Sequence, residues 1–141
     1  MAEQAPKPTR PLPNLNERDT AEFWQGTLAG EFRFQQCSAC GTLVWHPRAH
    51  CTGCTDGQLE WQVSAGQGEI YSFSVVRQSY HPFFRNQVPY VVAYVDLDEG
   101  PRFLTNMIGL QDPLKDVSIG QRVELSWEPH EELQIPLVKA I

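Results

Sequence analysis

Residues 37 to 54 read Cys37-Ser38-Ala39-Cys40-Gly41-Thr42-Leu43-Val44-Trp45-His46-Pro47-Arg48-Ala49-His50-Cys51-Thr52-Gly53-Cys54. Two Cys-x-x-Cys pairs separated by ten residues use all four cysteines of the chain. Each pair can set two thiolates on one cation from a single tight turn. Such a site is tetrahedral and closed, with no position left for water, so hydrolytic metal catalysis is disfavoured. His46 and His50 lie between the pairs and have the right chemistry to replace a cysteine, but the tetrahedron is complete without them. Zinc and iron both accept tetrahedral sulfur. Zinc is preferred because nothing else in the chain suggests electron transfer, and a small iron redox protein stays open as an alternative.

Little else in the sequence suggests chemistry. There is no Gly-x-Ser-x-Gly elbow, and the cysteines are committed to metal. His81, in the loop Tyr80-His81-Pro82-Phe83-Phe84-Arg85-Asn86-Gln87, is the best remaining acid or base, but no partner for it is evident. Gly66-Gln67-Gly68 lacks the helix that a nucleotide-binding loop requires and is expected to be a turn. Asp96, Asp98 and Glu99 lack the spacing of a calcium loop and are expected to be a solvated strand end. The net charge of -6, with eleven cations spread from Lys7 to Lys139 and no basic stripe, opposes a nucleic-acid partner.

The elements that must position these residues follow from the hydrophobic pattern. Residues 1–18, with Pro6, Pro8, Pro11 and Pro13, are expected to be a flexible tail or a strap across a partner subunit. A short helix is expected from Asp19 or Thr20 to the stop at Gly30, with Phe23, Trp24, Leu28 and Phe32 as its apolar face. Glu31 to Gln36 reads as a strand into the first cysteine turn, and Leu43 to Trp45 as the ribbon strand between the turns. Gly41 and Gly53 are expected to supply the turns' backbone freedom. From Leu59 the pattern becomes successive strands. These are Leu59–Val63, Glu69–Arg77 with Tyr71, Phe73 and Val75 on one face, Pro89–Leu97 buried on both faces, Arg102–Leu110, a strand around Val123–Trp127, and Leu137–Ile141. This predicts a mainly β chain, with a helix and metal ribbon over 19–58 and a small barrel over 59–141. No apolar run is long enough to span a membrane, and the first residues have no secretory core. Cysteines spaced for a metal rather than for disulfides favour a reducing cytoplasm.

The order of parts resembles a known family. Phe23-Trp24, the cysteine turns with Pro47-Arg48 between them, Gly66-x-Gly68, Pro89-Tyr90-Val91-Val92-Ala93-Tyr94-Val95-Asp96, Leu104-Thr105-Asn106 and Ile119-Gly120 carry the likeness. They are similar to the acyl-CoA-associated family that joins a rubredoxin-like zinc ribbon to an OB-fold. Thr52 and His46 depart from that family's frequent prolines without touching a metal ligand. The resemblance implies a five-stranded OB-fold barrel, structural zinc on Cys37, Cys40, Cys51 and Cys54, and a non-catalytic subunit. It also implies a thiolase-superfamily partner, a thiolase or a retro-aldolase that shortens steroid side chains, whose acyl-CoA channel this chain completes. Coenzyme A has an anionic nucleotide end and a thin pantetheine arm, so its site needs cations beside an apolar groove. Trp45, Arg48, Arg77, His81, Phe83, Phe84, Arg85 and Arg102 are the candidates for contact with coenzyme or partner. A single-stranded nucleic-acid binder, with the same pair of folds, is the alternative from another class.

Overall fold

The computed structural model describes residues 6–55 and 57–141. It begins with an irregular stretch through the prolines, followed by helix α1 at Ala21–Leu28. Thr20 occupies the N-cap, but its hydroxyl bonds Glu17 rather than a free helix N–H. The helix ends where Gly30 takes a positive φ of 70°, which a glycine tolerates without strain. Phe23, Gly26 and Thr27 are buried. Leu28, expected on the apolar face, is instead 51% exposed. Arg33 lies across Gly26 and pairs with Glu22 and Glu31, each at 2.8 Å, so a Cβ at position 26 would strike its side chain.

Strand β1 (Arg33–Cys37) is the centre of a three-stranded antiparallel sheet ordered β2-β1-β3, with β2 at Leu43–Val44 and β3 at Leu59–Val63. The sequence reading put β3 in the barrel. The structure pairs all five of its residues with β1, from Arg33 opposite Val63 to Cys37 opposite Leu59. Alternation identifies a strand but not the edge it joins.

The remaining strands are β4 (Gln67–Val76), β5 (Tyr90–Leu97), β6 (Arg102–Met107), β7 (Arg122–Pro129) and β8 (Gln134–Ala140). They close into a barrel in the order β4-β5-β6-β8-β7, with only β6 and β8 parallel. This is the five-stranded OB-fold barrel the resemblance implied. Gly68 sits where β4 pairs with both neighbours, opposite Leu97 and Val123, and a Cβ there would run into the Asp96 carbonyl. Ile70, Val91, Ala93, Val95, Phe103, Met107, Val123 and Val138 fill the interior, and Phe23 and Phe32 belong to the same core cluster. Helix, ribbon and barrel therefore share one core.

Two expectations about strand faces are corrected. β5 is buried on one side only, since Val91, Ala93, Val95 and Leu97 point inward while Tyr94 is 46% exposed. A small barrel has an outside, and β5 is not covered there. On β4 the pairing skips a residue between Ile70 and Ser72, so Tyr71 is bulged and does not share the face of Phe73 and Val75. The extra residue reverses the alternation. The acidic turn holds no cation cluster among the described residues. Asp96 pairs with Arg102 at 2.6 Å, Asp98 takes both Nη atoms of Arg122 at 2.7 Å, and Glu99 accepts from the Ser64 hydroxyl and the Ala65 N–H.

Thr27 joins the helix to β8. Its hydroxyl donates to the Trp24 carbonyl and accepts from the Gln134 N–H at 3.0 Å, while its carbonyl accepts from Gln134 Nε2 at 2.8 Å. Thr27→Val keeps the shape but leaves the Gln134 N–H without its acceptor. Chemical denaturation of this variant is expected to show a loss of about 1–3 kcal/mol, with the slope of the transition unchanged.

Candidate metal centre and interaction surface

The first cysteine turn grows from the end of β1. The Cys37 N–H donates to the Thr42 carbonyl at 2.9 Å, and the Gly41 N–H returns to the Cys37 carbonyl at 3.0 Å, with Gly41 at a φ of 76°. In the second turn the N–H groups of Gly53 and Cys54 point at Cys51 Sγ, at 3.3 and 3.5 Å. All four sulfurs lie within 4.8 Å of one another, with Cys37–Cys54 at 3.7 Å and Cys40–Cys51 at 3.6 Å. Metal–sulfur bonds of about 2.3 Å in a regular tetrahedron put sulfurs about 3.8 Å apart. The donors thus fit a four-thiolate metal site, and His46 and His50 stand outside the group.

The turns' glycines work differently from the expectation. Gly53 has no positive φ, and its need is for space, since a Cβ there would lie 2.6 Å from Thr42 Oγ1. Gly57, which the sequence reading passed over, is the tightest, because a Cβ would collide with Cys37 Sγ. The Thr42 hydroxyl, 3.0 Å from Cys40 Sγ, is the main cause holding that thiol well below its ordinary value, at about 6. Cys51 is also lowered, chiefly by the Cys54 N–H and against the opposing effect of burial, with Gly53 adding to it. Thiolates poised in this way give up their protons to a metal readily.

The contact candidates fall into two groups. On the ribbon side, Trp45 packs against Phe23 and Phe32, at ring distances of 5.2 and 4.9 Å, and its buried Nε1 has no hydrogen-bond partner among the described residues. It is chiefly a joint between ribbon and barrel, lining a cleft of about 190 Å³ with His46, Pro47 and Leu104. Buried Gln35 clamps the Arg48 backbone from both sides, accepting from its N–H at 2.8 Å and donating to its carbonyl at 2.9 Å, while the Arg48 side chain stays exposed. On the loop side, Phe83 and Phe84 meet edge to face at 4.9 Å, and Phe84 lies 5.5 Å from Tyr90. Exposed His81 accepts the Phe83 N–H on Nδ1, and Arg85 donates to the Tyr80 carbonyl. Arg77 is exposed just beyond the end of β4, at the start of this loop. Phe84, Tyr90, Val92 and Leu104 border a groove of about 250 Å³ on the outer face of β5 and β6. Leu104 lines both clefts, so it lies between the two groups.

Arg102 stands apart, 3.4 Å from the centre of the Tyr71 ring and held by Asp96. The sequence reading missed Tyr71, Gln35, Leu104 and Arg10. Arg10 contacts Phe83 and Phe84 from inside the proline stretch, where no spacing announces it.

Comparison with known proteins bears on this arrangement. Residues 24–60 match the family model described as the ChsH2 rubredoxin-like zinc ribbon domain, and residues 61–128 match the ChsH2 C-terminal OB-fold domain. The chain belongs to the ChsH2 family. A solved "Ltp2-ChsH2(DUF35) aldolase" chain superposes with a TM-score of 0.79 at 36% identity, covering 93% of this chain and 98% of that one. The "Probable enoyl-CoA hydratase alpha subunit" of Thermomonospora curvata is 39% identical over 99% of this chain and 42% of its own length. The "3-oxo-4,17-pregnadiene-20-carboxyl-CoA hydratase alpha subunit" of Mycobacterium tuberculosis is 35% identical over 82% of this chain and 39% of its own. The chain therefore spans less than half the length of these two curated relatives.

Cys37→Ala and Cys54→Ala should each lose bound metal by elemental analysis and melt the ribbon at lower temperature, because metal binding supplies folding free energy that so small a unit lacks. Full metal retention by either variant contradicts a four-cysteine site. Thr42→Val has a signed effect. The Cys40 thiolate is favoured above the ordinary thiol range, and that advantage is lost as pH falls through about 6. Without the hydroxyl, protons compete earlier, so a chelator-monitored acid titration should release metal at a pH higher by roughly half a unit.

Proposed function

We propose that this chain is a non-catalytic accessory subunit that binds a thiolase-like partner, a thiolase or a retro-aldolase of steroid side-chain degradation, and helps form its acyl-CoA site. The observation that carries the reading is the end-to-end likeness to a chain of the Ltp2-ChsH2 aldolase, 98% of which this chain covers. The two hydratase-named relatives also carry a CoA thioester in their names, and both extend well beyond the part this chain matches. The carbon–carbon chemistry is assigned to the partner, which agrees with a closed four-cysteine site and with an exposed His81 whose Nδ1 is taken up by the Phe83 N–H.

In this reading the metal is zinc, a structural ion held by Cys37, Cys40, Cys51 and Cys54. It supplies rigidity rather than reactivity, and the four residues orient the turn that carries Trp45 to Arg48. The clefts that share Leu104 are small and lined mainly by apolar side chains, which suits a pantetheine arm. Arg48 at one end and Arg77 and Arg85 at the other are the cations for anionic groups of coenzyme or partner, and Trp45, His81, Phe83 and Phe84 border the path. The reduced thiolates suit a cytoplasmic setting, and no helix among the described residues is long and apolar enough to cross a membrane. The charge of -6 disfavours nucleic acid.

Co-expression with a thiolase-superfamily protein should give a complex that survives gel filtration and cleaves or forms its acyl-CoA substrate only when this chain is present. A partner equally active without the chain would overturn the assignment. A purified protein with no visible absorption would agree with zinc, and a red iron–thiolate spectrum would not.

A further inference from the structure

We propose that the proline-rich segment is a latch, in which Arg10 occupies a guanidinium slot built by Phe83, Phe84 and Glu128 and so sets the rim of the groove beside Phe84. In an otherwise exposed run from Pro6 to Leu12, Arg10 alone is drawn inward. Its guanidinium carbon lies 5.2 Å from the Phe83 ring centre and 5.3 Å from that of Phe84. Its Nε is 2.6 Å from Glu128 Oε2, an ion pair not aligned as a hydrogen bond, and both atoms are shut off from solvent. His130 Nε2 closes the other side of the same oxygen at 3.4 Å.

A planar cation between aromatic faces and a carboxylate is a recognition arrangement specific to arginine, because an ammonium group lacks the flat face. The neighbouring prolines keep the segment extended. Arg10 is the one inward-turned residue between Pro6 and Leu12, so its detachment frees that exposed run. Phe84 bears on Tyr90 and borders the groove with Val92 and Leu104, so the latch is coupled to the shape of that surface. Release bares the faces of Phe83 and Phe84, and a guanidinium from another chain is the competitor the slot accepts. The latch is independent of the acyl-CoA reading.

The test uses the full chain and hydrogen exchange at two amides of the aromatic loop. These are Arg85, which donates to the His81 carbonyl at 2.8 Å, and Gln87, which donates to the Phe84 carbonyl at 3.0 Å. In Arg10→Ala both should exchange roughly fivefold faster, with Arg10→Lys between, while amides of β5 keep their rates. An excess of the acetylated peptide Lys-Pro-Thr-Arg-Pro-Leu-Pro-Asn should slow them again, and the same peptide with alanine in place of arginine should not. Unchanged exchange in Arg10→Ala, acceleration spread equally over β5, or equal action of the two peptides would each overturn the latch. Glu128→Gln retains the side-chain shape and should accelerate the same two amides. If they are unchanged in that variant, the slot is overturned as well.

Discussion

Phe32 is the contact on which the arrangement of the parts depends. It is 1% exposed and meets a ring from each of the other elements, Phe23 of the helix at 5.2 Å, Trp45 of the ribbon at 4.9 Å and Phe103 of the barrel at 4.8 Å. Each element is too small to bury its own apolar face. An eight-residue helix is marginal in water, and a three-stranded sheet with a two-residue edge strand has little core. Packing their aromatic residues against the barrel at Phe103 solves the problem for all three. Large flat rings suit such a junction, because edge-to-face and tilted contacts let rings arriving from three directions pack on one another.

The thiolate cluster complements this junction from the far end of the ribbon. Aromatic packing holds the strand end near Trp45, and the two cysteine turns, with their sulfurs gathered within 4.8 Å, flank the segment from Trp45 to Arg48 on either side. Gln35 adds a third restraint by bonding the Arg48 backbone twice. The result is a preformed projection beside an apolar cleft. Preorganised groups bind with less loss of conformational freedom than mobile ones.

The surface charges follow a similar economy. Arg33, Arg102 and Arg122 are each held by carboxylates, and Arg102 also lies on the Tyr71 ring. The exposed pairs of Arg102 and Arg122 contribute little stability, but all of these pairings keep the arginines from the clefts. Arg48, Arg77 and Arg85 carry no such pair among the described contacts, and between Ile70 and Val95 the chain has no acidic residue at all. A chain with a net charge of -6 thus leaves its aromatic loop locally basic.

The sequence by itself determined the four-cysteine cluster, the helix and its stop, most of the strands and the polarity of the surface. These rest on residue type and spacing within a few positions. Cys-x-x-Cys turns, period-two alternation and a terminal glycine act through the local backbone. The family likeness then supplied the closed barrel. Only the tertiary structure decided that β3 joins the ribbon, that Tyr71 is bulged outward, that Trp45 is a joint more than a free anchor, and that Arg10 returns to Phe83 and Phe84. Gly57 was equally illegible, since its need comes from a sulfur twenty positions earlier. Each of these depends on which distant segment arrives alongside. Alternation and composition specify a face, whereas pairing partners and close approaches are set by how the whole chain closes its core.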